Sequence, residues 1–117
     1  MTGPALPSST SGVLVVDKPA GLTSHDVVAS VRRALGIKRV GHLGTLDPLA
    51  TGVLPLVVGK ATRLAPLYAG ATKQYDAVIR LGFSTDTCDV TGTVLPQETP
   101  ATDKLPSRNA IVETVTK

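Results

Sequence analysis

Two short aliphatic runs constrain this chain more than any other feature: VLVV at residues 13–16 and VLPLVV at residues 53–58, each bounded by turn-forming residues. Runs of this length, rich in Val and Leu and set between Gly, Pro and Asp, are too short for core helices and read as buried strands. Residues 17–21 (DKPAG) are expected to break the first run as a turn. Pro55 inside the second argues for an edge strand, a bulge or an irregular start, because proline cannot donate to a ladder. Aromatic residues make up 3% of the sequence, with no Trp and one Phe, so Val, Leu, Ile and Ala must fill the core. With 117 residues, 42% hydrophobic and 18% charged, the chain has the size and balance of one small globular domain.

Between the two runs a helix is expected. Thr23 and Asp26 have the spacing of a capping box, with Asp in place of the usual Glu, and Val27, Val28, Val31 and Leu35 follow on one face. Gly36, just after Arg32 and Arg33, is a stop signal. From Val40 to Gly52 the glycines and Pro48 interrupt any period, so this stretch is expected to be a shaped loop. Ala61, Leu64, Ala65 and Tyr68 have helical spacing, shortened or kinked by Pro66. Residues 74–81 alternate as a half-buried strand, with 90–95 as its hairpin or sheet partner across a polar connection. A Pro-rich linker, 96–106, precedes a helix that Ser107 could cap and that carries Ile111, Val112 and Val115. Residues 1–11 (MTGPALPSSTS) are expected to form a flexible tail.

No apolar run approaches a membrane span and the start lacks the features of a signal peptide, so a cytoplasmic protein without a membrane partner is expected. The single cysteine, Cys88, cannot form an internal disulfide. Residues 1–70 carry seven Lys or Arg against three Asp, and residues 71–117 carry five against six acids. Four of the cations, Arg32, Arg33, Lys38 and Arg39, cluster near the 41–52 loop in sequence. They suit either a solvated helix end or a phosphate backbone.

The chemistry concentrates in residues 41–52, GHLGTLDPLATG. Asp47 precedes a proline, which disfavours a helical backbone there, and the surrounding glycines admit the close approach of another chain. Asp47 is thus expected to be presented, either as a turn residue or as a carboxylate nucleophile that needs no helper base. His42 has no companion at a metal-ligand spacing, because His25 lies in the helix and Cys88 is alone, so no metal is expected. It reads as a structural hydrogen-bonding residue or as a polar contact to substrate. Tyr75, near Lys73, is either a core residue or a ring that stacks on an unpaired base, with the cation holding a phosphate. The TDTCD stretch at 85–89 reads as a polar turn.

In this order the motifs closely resemble the TruB family of tRNA pseudouridine-55 synthases. The resemblance runs from Gly12 to Val94: GVLVVDKPAGLTSHDVVASVRR, then GHLGTLDPLATGVLPLVVGKATR, then KQYDAVIRLGFSTDTCDVTGTV. It implies an α/β (α+β mixed) fold, the pseudouridine synthase catalytic domain with a mixed, largely antiparallel sheet. It also implies isomerisation of a T-loop uridine in tRNA, with neither metal nor organic cofactor, by a monomeric enzyme. Asp47 falls on the family's catalytic aspartate, His42 on the histidine that contacts RNA near the extruded base, and Tyr75 on the tyrosine that stacks on the target uracil. Lys18 and Pro19 fall on a motif that supports the active-site loop. Family members extend further, with later segments that supply an arginine partner for the aspartate and a carboxy-terminal RNA-binding domain. Residues 12–117 are therefore expected to be the amino-terminal part of a larger catalytic domain, with independent activity not expected. Two other readings are a non-catalytic RNA-binding or RNA-folding protein on the same fold, and the archaeal and eukaryotic relative that works within a guide-RNA complex.

Overall fold

A computed structural model describes residues 7, 9–68, 70–96 and 106–116. The expected tail at 1–11 and the linker at 96–106 fall largely outside the described residues. Two compact units form, Met1–Lys73 and Gln74–Lys117.

In the first unit the order is β1 (Gly12–Lys18), α1 (Ser24–Leu35), β2 (Val40–His42), β3 (Gly52–Val58) and a 3-10 helix (Gly59–Tyr68). The strands form one antiparallel sheet in the order β1-β3-β2. Leu54, Leu56 and Val58 alternate onto one face of β3 and meet Val27, Val28, Ile37 and Val40, with Val16, Val31, Leu35 and Leu46 around them. Each fully buried aliphatic side chain contributes roughly 1.5–3 kcal/mol. On the other face Val57 is buried, whereas Val13, Val15 and Val53 remain exposed.

The ends of α1 follow the local signals. Thr23 Oγ1 accepts from the Asp26 N–H at 3.0 Å, and the Thr23 N–H donates to Asp26 Oδ2 at 2.9 Å, which completes the capping box. Gly36 closes the helix in the left-handed conformation, φ 67° and ψ 19°, which a side chain would disfavour. Arg32 Nη2 donates to the Val40 carbonyl at 2.7 Å and so ties this helix end to β2.

Four sequence expectations need correction. β1 runs through Lys18 rather than breaking at Asp17, because β3 is long enough to pair Asp17 with Val53 and Lys18 with Gly52. The first three residues of the expected 40–52 loop are strand β2, recruited by the free edge of β3. Pro55 lies in the central strand, not an edge. Its carbonyl accepts from the Leu43 N–H, and the reciprocal bond to the Leu43 carbonyl is the one that proline cannot make, so β2 ends at His42, one residue before this pair. The segment at 59–68 is a 3-10 helix with Pro66 inside it.

In the second unit, residues 74–81 form no strand and are exposed throughout, with Val78 99% exposed. No ladder joins 74–81 to 90–95 among the described residues; Val94 instead bridges to Thr85, within the expected connection. Alternation supplies a face that could be buried, but an isolated hairpin is marginal without further strands or a helix to cover it. The 85–89 turn is built as expected: Thr85 Oγ1 donates to the Asp89 carbonyl at 2.7 Å, and Asp89 Oδ1 accepts from the Thr91 N–H at 2.8 Å. Ser107 caps α2 (Arg108–Val115) by accepting from the Ala110 N–H at 3.2 Å.

Candidate active site

The loop that follows β2 is held at nearly every peptide group around Asp47. Asp47 begins a β-turn in which its carbonyl accepts from the Ala50 N–H at 3.0 Å, with Pro48 at the second position, where its fixed φ suits the turn. Before it, Ser24 Oγ accepts from the Leu46 N–H at 2.9 Å and donates to the Leu46 carbonyl at 3.2 Å. After it, the Pro48 carbonyl accepts from the Gly21 N–H at 2.7 Å and from Lys18 Nζ at 3.1 Å. The side chain of Asp47 is exposed, and its carboxylate has no hydrogen-bond or ion-pair partner among the described residues. A rigid backbone carrying an exposed acid is the arrangement required of a presented nucleophile or base.

Lys18 is the largest polar group in the interior. It is 0% exposed, and its three ammonium donors match three carbonyls: Leu22 at 2.6 Å, Pro19 at 2.9 Å and Pro48 at 3.1 Å. It thereby joins the turn after β1 to the turn that carries Asp47, which is the support that the family motif implies for this position.

His42 ends β2, half-buried and opposite Leu56, so it lies on the helix-covered face. Its Nδ1 accepts from the Gly44 N–H at 3.4 Å, which leaves Nε2 as the donor of the neutral ring. Its ring packs edge-on against that of His25, with centroids 5.6 Å apart and planes at 76°. The first turn of α1 thus receives two points of this segment, His42 through His25 and Leu46 through Ser24. Sequence reading separated His25 from His42, because only the folding of α1 onto the sheet joins them. Among the described residues no group of three potential metal ligands forms.

Lys73, in the same unit, donates from Nζ to the Thr45 carbonyl at 3.0 Å. Gly44, at φ 146°, leaves room for it, since a Cβ there would lie 2.9 Å from Lys73 Cε. The sequence offers this cation as one that could hold a phosphate beside Tyr75, and in the structure it engages the loop. Tyr75 itself sits at the start of the second unit, 57% exposed, in an irregular segment rather than on a strand. Arg32 and Arg33 lie in the last turn of α1, roughly 12–14 Å along the helix axis from Ser24, and Lys38 and Arg39 lie between α1 and β2.

Residues 32–117 match the description "TruB family pseudouridylate synthase (N terminal domain)". The chain is 56% identical over 88 residues to tRNA pseudouridine synthase B of Geobacillus thermodenitrificans, covering 75% of this chain and 29% of that protein. It is 64% identical over 84 residues to the enzyme of that name from Thermobifida fusca, covering 72% and 29%. For the one from Leifsonia xyli subsp. xyli the identity is 50% over 103 residues, covering 88% and 34%. The chain thus spans about three tenths of the length of these relatives. A solved structure described as an H/ACA RNP bound to a substrate RNA containing 2′-deoxyuridine aligns at TM-score 0.47 and 50% identity, over 48% of this chain and 18% of that one. With most of its length matched to the family's N-terminal domain, this chain belongs to the TruB family of pseudouridylate synthases.

Proposed function

We propose that this chain is the amino-terminal part of an enzyme that converts a T-loop uridine of tRNA, at position 55, to pseudouridine, with Asp47 as the catalytic carboxylate. The observation that carries this reading is the exposed Asp47 side chain on a turn whose backbone is held on both sides. His42, with Nε2 as its donor, is assigned to the RNA beside the extruded nucleotide, and the exposed ring of Tyr75 to stacking on the uracil.

A uracil stacked inside a folded RNA cannot present its glycosidic bond, so the nucleotide must flip out at a cost of a few kcal/mol. Stacking on an aromatic ring returns roughly 1–3 kcal/mol of this. Asp47 then promotes scission of the bond between ribose C1′ and uracil N1. The base turns in the pocket, C5 bonds to C1′, the C5 proton is released, and N1 ends protonated. The composition of the nucleotide is unchanged.

The test is Asp47→Asn in the full-length protein, assayed with tRNA carrying C5-tritiated uridine. The amide keeps the shape of the side chain but removes its charge. Tritium release is expected to fall by at least about 10²–10⁴-fold, the scale of losing a positioned catalytic group. Affinity for tRNA, which rests on phosphate contacts and stacking, is expected to stay within about threefold. Turnover near the parent rate would remove Asp47 from the mechanism. Full binding by a parent protein that never releases tritium would favour the non-catalytic RNA-binding reading.

A further inference from the structure

We propose that Ser24 is a positioning residue for Asp47, acting through the peptide group that joins Leu46 to Asp47; the proposal rests on the catalytic reading of Asp47. Ser24 is the first residue of α1 and is 2% exposed. A serine at a helix start ordinarily earns its place by capping, but here Thr23 accepts the Asp26 N–H and does that work. The Ser24 hydroxyl is spent instead on a residue 22 positions away, accepting from the Leu46 N–H and donating to the Leu46 carbonyl.

Those two bonds act on successive peptide planes. The Leu46 N–H belongs to the plane between Thr45 and Leu46, and the Leu46 carbonyl belongs to the plane between Leu46 and Asp47. The next plane is held by the Asp47 carbonyl through Ala50, and the one after it by the Pro48 carbonyl through Gly21 and Lys18. Four consecutive planes are thus fixed, and the remaining freedom of Asp47 is rotation of its own side chain. The plane between Thr45 and Leu46 is also held by Lys73 Nζ on the Thr45 carbonyl at 3.0 Å, whereas the plane between Leu46 and Asp47, where the direction of the Asp47 Cα–Cβ bond is set, is held by the Ser24 hydroxyl. Leu46 also packs against the core, so without the hydroxyl its side chain stays anchored while the peptide group that joins it to Asp47 is released to turn.

The consequence is a defect in turnover rather than in binding or folding. The experiment measures kcat and KM for an unmodified tRNA transcript, tRNA affinity and thermal unfolding for the full-length parent, Ser24→Ala, Ser24→Thr and Asp47→Asn. Ser24→Ala is expected to lower kcat about 10- to 100-fold, the scale of a misplacement near 1 Å, with KM and tRNA affinity within about threefold. The variant should remain folded at the assay temperature, since alanine suits a first helical turn and the cap is intact. Ser24→Thr, which restores a hydroxyl, is expected to recover part of the lost kcat. If Asp47→Asn is inactive while Ser24→Ala keeps kcat within twofold of the parent, the Ser24 proposal is overturned and the catalytic reading stands. A Ser24→Ala loss that appears equally in tRNA affinity and in the melting transition also overturns it, by making Ser24 a general stabiliser. Undiminished turnover in Asp47→Asn overturns both.

Discussion

Replacing Lys18 by methionine tests how the buried polar link beneath the Asp47 turn contributes to stability. The substitution keeps an unbranched chain of similar length but removes all three donors, so it strips the Leu22, Pro19 and Pro48 carbonyls of one partner each. Pro48 retains the Gly21 N–H at 2.7 Å and stays satisfied, which leaves two carbonyls to be orphaned. Each hydrogen bond from a charged donor contributes about 1.5–3 kcal/mol. Against this, the interior no longer holds an ammonium, whose burial carries an effective penalty of several kcal/mol. The methionine thioether also packs where the amine stood. The two effects oppose each other, and the acceptors win because their geometry is fixed by β1 and by the turn before α1. The expected net loss is about 2–4 kcal/mol, the part of three such charge-assisted bonds that the relieved burial of the ammonium does not offset. Urea unfolding of the full-length protein followed by circular dichroism should then show a midpoint lower by about 1–2 M at an m-value near 2 kcal/mol/M. A midpoint equal to or above the parent's would refute the reasoning, by showing that the cost of burying the ammonium exceeds the gain from its three bonds.

Two further outcomes follow from the remaining side chains. Because the ring and not the hydroxyl supplies a stacking face, Tyr75→Phe should keep most of the affinity for tRNA while Tyr75→Leu loses about 1–3 kcal/mol; equal losses in an equilibrium binding titration would remove stacking from its role. Asp26 is held below the ordinary carboxylate range by the Thr23 hydroxyl and the Thr23 backbone N–H, and Asp89 likewise by the Thr91 hydroxyl and backbone. In both cases the unfolded chain takes up its proton first, so their stabilisation is present above the ordinary value of 3.8 and is lost as pH falls through the lower folded values. Asp26→Asn should therefore flatten the acid limb of the stability profile below about pH 4, and an unaltered limb in a pH series of melting curves would contradict this.

The elements that the sequence determined by itself are those whose causes are local. The Thr23/Asp26 box and Gly36 bound α1 because capping and the left-handed stop involve residues within one turn. The aliphatic runs at 13–16 and 53–58 form β1 and β3, as their β-branched content favours, but only β3 is largely buried; β1, expected to be buried, leaves Val13, Leu14 and Val15 exposed. The GHLGTLDPLATG loop was legible as a site, and the exposure of Asp47 followed from the proline behind it. What the tertiary structure alone decided is which distant groups meet. Pro55 is tolerated in a central strand because β2 ends at His42, one pair before the bond that proline cannot make, and residues 74–81 are not a strand because alternation creates a face without supplying anything to cover it. Lys18 reaches Pro48 across 30 residues and Ser24 reaches Leu46 across 22. Neither pairing leaves a periodicity or a spacing in the sequence, because a hydrogen bond between remote segments depends on how α1 and the sheet pack, and that packing is a property of the whole core rather than of either segment.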